Sequence, residues 1–127
     1  MVNVAEAFTI LASNGMSLNF FTTEGMDIQI QQTVMDVQMA LEDGVERILR
    51  ARGKPAVMMC DRGTMDGSAY MAKETWEALL ADRNTTETEI RDNRYNAVFH
   101  VSNYCFLLDI VFFSSPPNSP VLLQKST

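Results

Sequence analysis

The stretch Ala56-Val57-Met58-Met59-Cys60-Asp61-Arg62-Gly63 runs through five apolar residues without alternation into an acid, a guanidinium and a glycine. So short an apolar run, bounded by Pro55 before and Asp61-Arg62-Gly63 after, predicts a strand covered on both faces, and a central parallel strand fits it best. In open α/β sheets, ligands sit beyond the carboxyl ends of such strands. Asp61 there can hold a hydrated magnesium ion, and Arg62 can clamp a phosphate with a planar fork of donors. Gly63 would let the backbone turn closely past the ligand. The same residues also permit a plainer reading, in which Asp61 caps a helix starting near Met65 and Arg62 is a solvated loop side chain.

Upstream, Met26 to Ala51 places Val34, Val37, Leu41, Val45 and Ile48 three or four apart, with Glu42, Asp43, Glu46, Arg47 and Arg50 between them. This spacing predicts an amphipathic helix. Gly53 can supply a left-handed cap and Pro55 cannot continue the helix, so it ends before the strand. Gly44 lies inside the pattern and weakens it. Met1 to Glu6 is compatible with the end of a strand. Downstream, Lys73 to Ala81 sets Trp76, Leu79 and Leu80 at helical spacing, and Thr86-Glu87-Thr88-Glu89 has the form of a capping box opening another short helix. Both helices read as a surface insertion between strands. Ala97-Val98-Phe99-His100-Val101 is a second short apolar run of strand type. The order helix, strand, helix, strand points to a three-layer α/β sheet.

Beyond Asn103 the composition changes. Tyr104 to Phe113 is nearly all apolar, and Ser114-Ser115-Pro116-Pro117-Asn118-Ser119-Pro120 suits neither a helix nor a ladder. Over the whole chain, 127 residues with 46% hydrophobic and 20% charged composition match one globular domain. The net charge of −6 and the lack of a basic cluster argue against nucleic-acid binding. Cys60 and Cys105 lie in apolar runs without metal-ligand spacing, which fits buried thiols in a reducing compartment. No signal-peptide pattern and no apolar stretch of membrane-spanning length is present, so the expected location is cytoplasmic.

Two strings together carry a family resemblance. Lys54 to Tyr70, followed by Trp76 and Leu80, and Arg91-Asp92-Asn93-Arg94-Tyr95-Asn96-Ala97-Val98-Phe99-His100, with Val4-Ala5-Glu6-Ala7 near the start, resemble the ATPase-like domain shared by NadR and the TRP-channel translocation-defect protein. The resemblance covers residues 1–103. It implies an AAA-type P-loop NTPase of the nucleoside-kinase-like kind; NadR members phosphorylate nicotinamide riboside, and eukaryotic members are thought to bind GTP and phosphoinositides. Carried over, Asp61 matches the acid ending the Walker-B-like strand and would hold Mg2+ with ATP or GTP, and Arg62 is its phosphate-contacting neighbour. Glu6 looks like the acid that accepts a proton from the substrate hydroxyl. Arg94 could reach a phosphate, with Arg91 next in line. The plainer alternatives are that Glu6 is a solvated acid, that Arg91 and Arg94 pair with Asp92 and Glu89, and that His100 is a core residue and Asp66 a turn residue.

A P-loop needs Gly-x-x-x-x-Gly-Lys-Ser/Thr, and none of the six glycines begins such a string. Only Gly53 precedes a lysine, and Pro55 then occupies the hydroxyl position. The expectation is therefore an incomplete P-loop NTPase-like parallel sheet with flanking helices over 1–103 and a divergent, irregular tail over 104–127. Such a fragment would be nucleotide-binding by descent and inactive alone. The alternative is a regulatory or scaffold module that binds a protein partner or a phosphoinositide head group.

Overall fold

The structure, a computed structural model, describes residues 1–101, 108–112 and 121–126 of the chain, with side chains described through Phe99. In chain order the elements are β1 (Val2–Val4), α1 (Ala7–Ser13), α2 (Met26–Ala51), β2 (Val57–Cys60), α3 (Lys73–Asp82), α4 (Glu87–Arg94), β3 (Ala97–Val101), β4 (Leu108–Phe112) and β5 (Val121–Ser126). Short 3-10 turns occupy Leu18–Thr22 and Asp66–Tyr70.

The 26-residue α2 has the bounds its periodicity predicts, and Gly53 closes its end at a φ of +61°, a conformation that favours glycine. Its buried stripe is rotated from the expected one. Met35, Gln38, Glu42 and Leu49 are buried, while Ile48 is 64% exposed. Leu41, Val45 and Leu49 pack on Val4, Met58, Cys60 and Val98 of the sheet.

The sheet order is β1-β2-β5-β3-β4, so β2 is an interior strand as expected, but it is not covered on both faces: Met58 and Cys60 are buried while Val57 and Met59 are half-buried. β1, β2, β5 and β3 run parallel, and β4 is antiparallel to β3. The expected parallel sheet is present, and β4, from beyond residue 103, adds an antiparallel strand at its edge. The stretch 102–107 is too short for the crossover that a parallel neighbour requires, whereas an antiparallel neighbour needs only a turn. Within the segment expected to be irregular, the structure places β4 and β5, the latter between β2 and β3.

The helices α3 and α4 are also placed differently from the surface insertion expected of them. Trp76, Leu79, Leu80 and Ile90 form a second core cluster with Met35, joined by Met39 of α2. The indole Nε1 of Trp76 is buried without a hydrogen-bond partner. Because α3 and α4 bury their apolar faces on α2, the described helices gather on one side of the sheet. On the other side Asn3, in register with Met59, is exposed and Met59 is half-buried. Among the described residues the architecture is thus two layers, helices on a sheet, where three were expected. The capping box at the start of α4 is formed: the Thr86 N–H donates to Glu89 Oε2 (2.9 Å) and the Glu89 N–H to Thr86 Oγ1 (3.2 Å). Cys60 is buried with a free thiol; Cys105 and the His100 side chain lie outside the described residues.

Candidate functional site

Parallel pairing of β1 with β2 sets Val4 opposite Cys60, so the residues that follow each strand emerge at the same edge of the sheet. The Asp61 N–H donates to the Val4 carbonyl (3.1 Å), carrying the alignment one step past the ladder. Two residues beyond Val4 stands Glu6; two beyond Cys60 stands Arg62. Arg62 Nε lies 3.4 Å from Glu6 Oε1, and Arg62 Nη1 lies 3.6 Å from Asp66 Oδ2. Asp66 also accepts from the Gly63 N–H (3.3 Å). Glu6 precedes the first turn of α1 and accepts from Thr9 Oγ1 (2.7 Å).

These three charged residues line one side of a pocket of about 360 Å³. Its other side is apolar, with Phe8 from α1, Phe21 from the first 3-10 turn, and Val34 and Met35 from α2. The Phe8 and Phe21 rings lie 6.2 Å apart. A concave site with apolar walls and a few convergent charged groups at the carboxyl ends of parallel strands is the usual form of a small-molecule site in an α/β fold.

The floor of the pocket is held by a network that the sequence did not single out. Gln38 accepts from the Ala7 N–H (3.0 Å) and donates to the Arg62 carbonyl (3.0 Å) and to Glu42 Oε1 (2.8 Å). Glu42, fully buried, also receives the Tyr95 hydroxyl (2.9 Å) and Arg94 Nε (2.7 Å). Tyr95 in turn accepts from the Thr64 N–H (2.8 Å). Burial pushes the Glu42 carboxyl above its usual range, opposed by the Arg94 charge and by its hydrogen-bond donors. Burial, reinforced by the Glu42 charge, likewise raises the Tyr95 hydroxyl and the Cys60 thiol, so neither titrates near neutral pH. For Arg94, burial is the largest single influence and works against the cation, but Glu42, Tyr95 and Asp43 together outweigh it, leaving the guanidinium held more firmly protonated than usual.

Of the sequence-predicted residues, the structure brings Glu6 and Arg62 together at the pocket, with Asp66 beside them. Asp61 is exposed at the end of β2 and lies outside the pocket lining. Arg94 is drawn inward: besides Glu42 it reaches Asp43 Oδ1 (2.8 Å) and the Met39 carbonyl (3.1 Å). Its expected partner Glu89 instead completes the α4 cap, and Arg91 pairs with Asp92 (2.6 Å), which lowers the Asp92 carboxyl through that hydrogen bond. For Gln38 and Glu42 a signal did exist: Met35, Gln38, Glu42 and Leu49 each stand one residue after an apolar position (Val34, Val37, Leu41, Ile48), and with Val45, common to both sets, they keep a spacing of three and four. Nothing in composition marked that parallel stripe as buried, since two of its members are polar.

Among the described residues no cluster of three or more His, Cys, Asp or Glu side chains is placed to hold a metal ion. A lone exposed Asp61 fits magnesium that arrives with nucleotide phosphates, because that ion is usually bound through one or two carboxylates plus phosphate and water. No described helix is long and apolar enough to cross a membrane.

No curated protein and no solved structure matches the chain. The sequence model of the AAA domain family, by contrast, matches residues 2–110, a span that takes in β1, the Val57-to-Gly63 strand and loop, and β3. With a pocket at the carboxyl ends of a small parallel sheet and a match over most of its length, the chain belongs to the AAA domain family, of P-loop NTPase type and nucleotide-binding class.

Proposed function

We propose that this chain carries the acceptor side of a nucleoside-kinase-like P-loop NTPase, of the kind that NadR shares with the TRP-channel translocation-defect protein. The observation that supports this most is the meeting of Glu6 and Arg62, 3.4 Å apart, at a pocket with an aromatic wall. Glu6 would accept the proton of an acceptor hydroxyl, and Arg62 would steady the transferring phosphoryl group. Asp61 would hold magnesium when nucleotide phosphates are present, and the metal would offset charge developing on the phosphoryl oxygens. Arg94 serves the pocket indirectly, through Glu42.

The triphosphate cradle is the part this sequence does not encode. Backbone amides of a Gly-rich loop and its lysine supply most of the phosphate contacts in such sites. The chain alone is therefore catalytically silent, and the family-like domain over 1–103 followed by a divergent tail remains part of the proposal. The phosphoinositide reading draws less support. Arg62 and Arg94 each already face two carboxylates, and a net charge of −6 does not favour an anionic surface.

Titration with nicotinamide riboside, followed by amide NMR, tests the acceptor pocket. Shifts confined to residues around Glu6, Phe8, Arg62 and Gly67, and lost in Glu6→Gln, are expected. No shifts at millimolar probe, or shifts that Glu6→Gln leaves intact, would contradict the assignment.

A further inference from the structure

The two residues on which the proposed pocket depends are attached to different elements, α1 and the loop after β2, and one buried side chain touches both attachments. Gln38 is 2% exposed and makes three hydrogen bonds: its Oε1 receives the Ala7 N–H, and its two amide protons go to the Arg62 carbonyl and to Glu42. The Ala7 N–H begins a helix and has no acceptor within it, so Gln38 satisfies an orphan donor. The direction of the amide is fixed by chemistry. Turned over, it would set a donor against the Ala7 N–H and an acceptor against both a carboxylate and a carbonyl. Glu42 is what enforces this. It accepts from Gln38, Tyr95 and Arg94, and Tyr95 closes a second tie to the same loop through the Thr64 N–H.

We propose that Gln38 is a positioning residue: by clamping the backbone at Ala7 and at Arg62 through one amide oriented by Glu42, it sets the spacing of the Glu6 carboxylate and the Arg62 guanidinium across the pocket. This rests on the acceptor-pocket reading for its functional meaning but not for its geometry. Glutamate at position 38 keeps the acceptor for Ala7 and loses both donors. Methionine, similar in volume, loses every bond. Neither substitution touches the Glu6 or Arg62 side chain, so any change in their pairing is transmitted through the backbone.

The test has an arm without ligand and an arm with one. In the full 127-residue chain, NMR of the arginine Nε–H groups should show Arg62 displaced from the position of the exposed Arg47. Gln38→Met should move the Arg62 signal to the Arg47 position while the amides of β1 and β2 stay protected from exchange. An Arg62 signal unmoved by Gln38→Met overturns the proposal. Gln38→Glu is the second variant, expected to release Arg62 in the same way. In the unsubstituted chain the Ala7 amide should exchange as slowly as the strand amides; rapid exchange also overturns the proposal, whatever the variants do. With nicotinamide riboside as the probe, Gln38→Met should weaken binding about tenfold, the loss expected when hydrogen bonds that fix a charged pair are removed. The same substitution in an Arg62→Ala background should cost far less, because the pair it positions is gone. Equal losses in both backgrounds would reduce Gln38 to a structural role and overturn the proposal. Absence of probe binding by the unsubstituted chain would refute the acceptor reading and leave the Arg62 signal to decide the positioning.

Discussion

Glu42 shows how a residue's type and its surroundings can point in opposite directions. Between Leu41 and Asp43 it reads as part of a solvated charged face, yet it is fully buried, because α2 is held between the sheet on one flank and α3 with α4 on the other. A helix covered on two flanks buries a wider arc than an amphipathic stripe implies, and the polar members of that arc must find partners inside. Arg94 is the partner that carries charge. Arg94→Ala would leave a buried, unpaired carboxylate, and the expected loss of stability is about 3–5 kcal/mol, measured by denaturant unfolding with the fluorescence of the single, buried Trp76. The pH dependence follows from the raised Glu42 carboxyl. As pH falls toward the ordinary carboxylate range, the folded state binds the Glu42 proton before the unfolded chain does, so the Glu42 contribution to stability rises over that interval. The unfolding free energy of the unsubstituted chain minus that of Glu42→Gln should therefore grow between pH 7 and pH 4.5. A difference that shrinks would show the carboxyl lowered by Arg94 more than it is raised by burial.

At the scale of elements, punctuation residues made the boundaries legible. Gly53 and Pro55 mark the end of α2, and Thr86 with Glu89 marks the start of α4. Thr86→Ala should cost about 0.5–2 kcal/mol by removing the acceptor for the Glu89 N–H. Gly44, in the interior of α2 with open space where a Cβ would stand, is a site for gain: Gly44→Ala should stabilise the chain by about 0.5–1 kcal/mol. Thermal unfolding of the two variants reads both effects. What the elements did not disclose was their placement. Trp76, Leu79 and Leu80 have the spacing of a helix whichever surface receives them, and their docking on Met35 is a tertiary fact that local pattern does not contain. The alignment of Glu6 with Arg62 has the same origin. Arg62 was recognisable by its position after an apolar run and Glu6 only through the family resemblance, but their 3.4 Å approach depends on the register Val4 to Cys60.

For the whole molecule, the strand Val57–Cys60 fixed the class of fold and the end of the sheet where ligands would bind, and the AAA domain match over residues 2–110 agrees with that class. The mixed sheet, with β5 seated between β2 and β3, was beyond the reach of pattern, because pairing between strands so distant in sequence is decided by three-dimensional closure. The proposed function divides the labour of a nucleotide site: this chain would hold the acceptor pocket, and its sequence has no Gly-rich string to cradle the triphosphate. Isothermal calorimetry of the 127-residue chain with ATP and with GTP, each with magnesium, tests it most directly. The claim predicts no saturable heat from either nucleotide; micromolar, magnesium-dependent binding would contradict it.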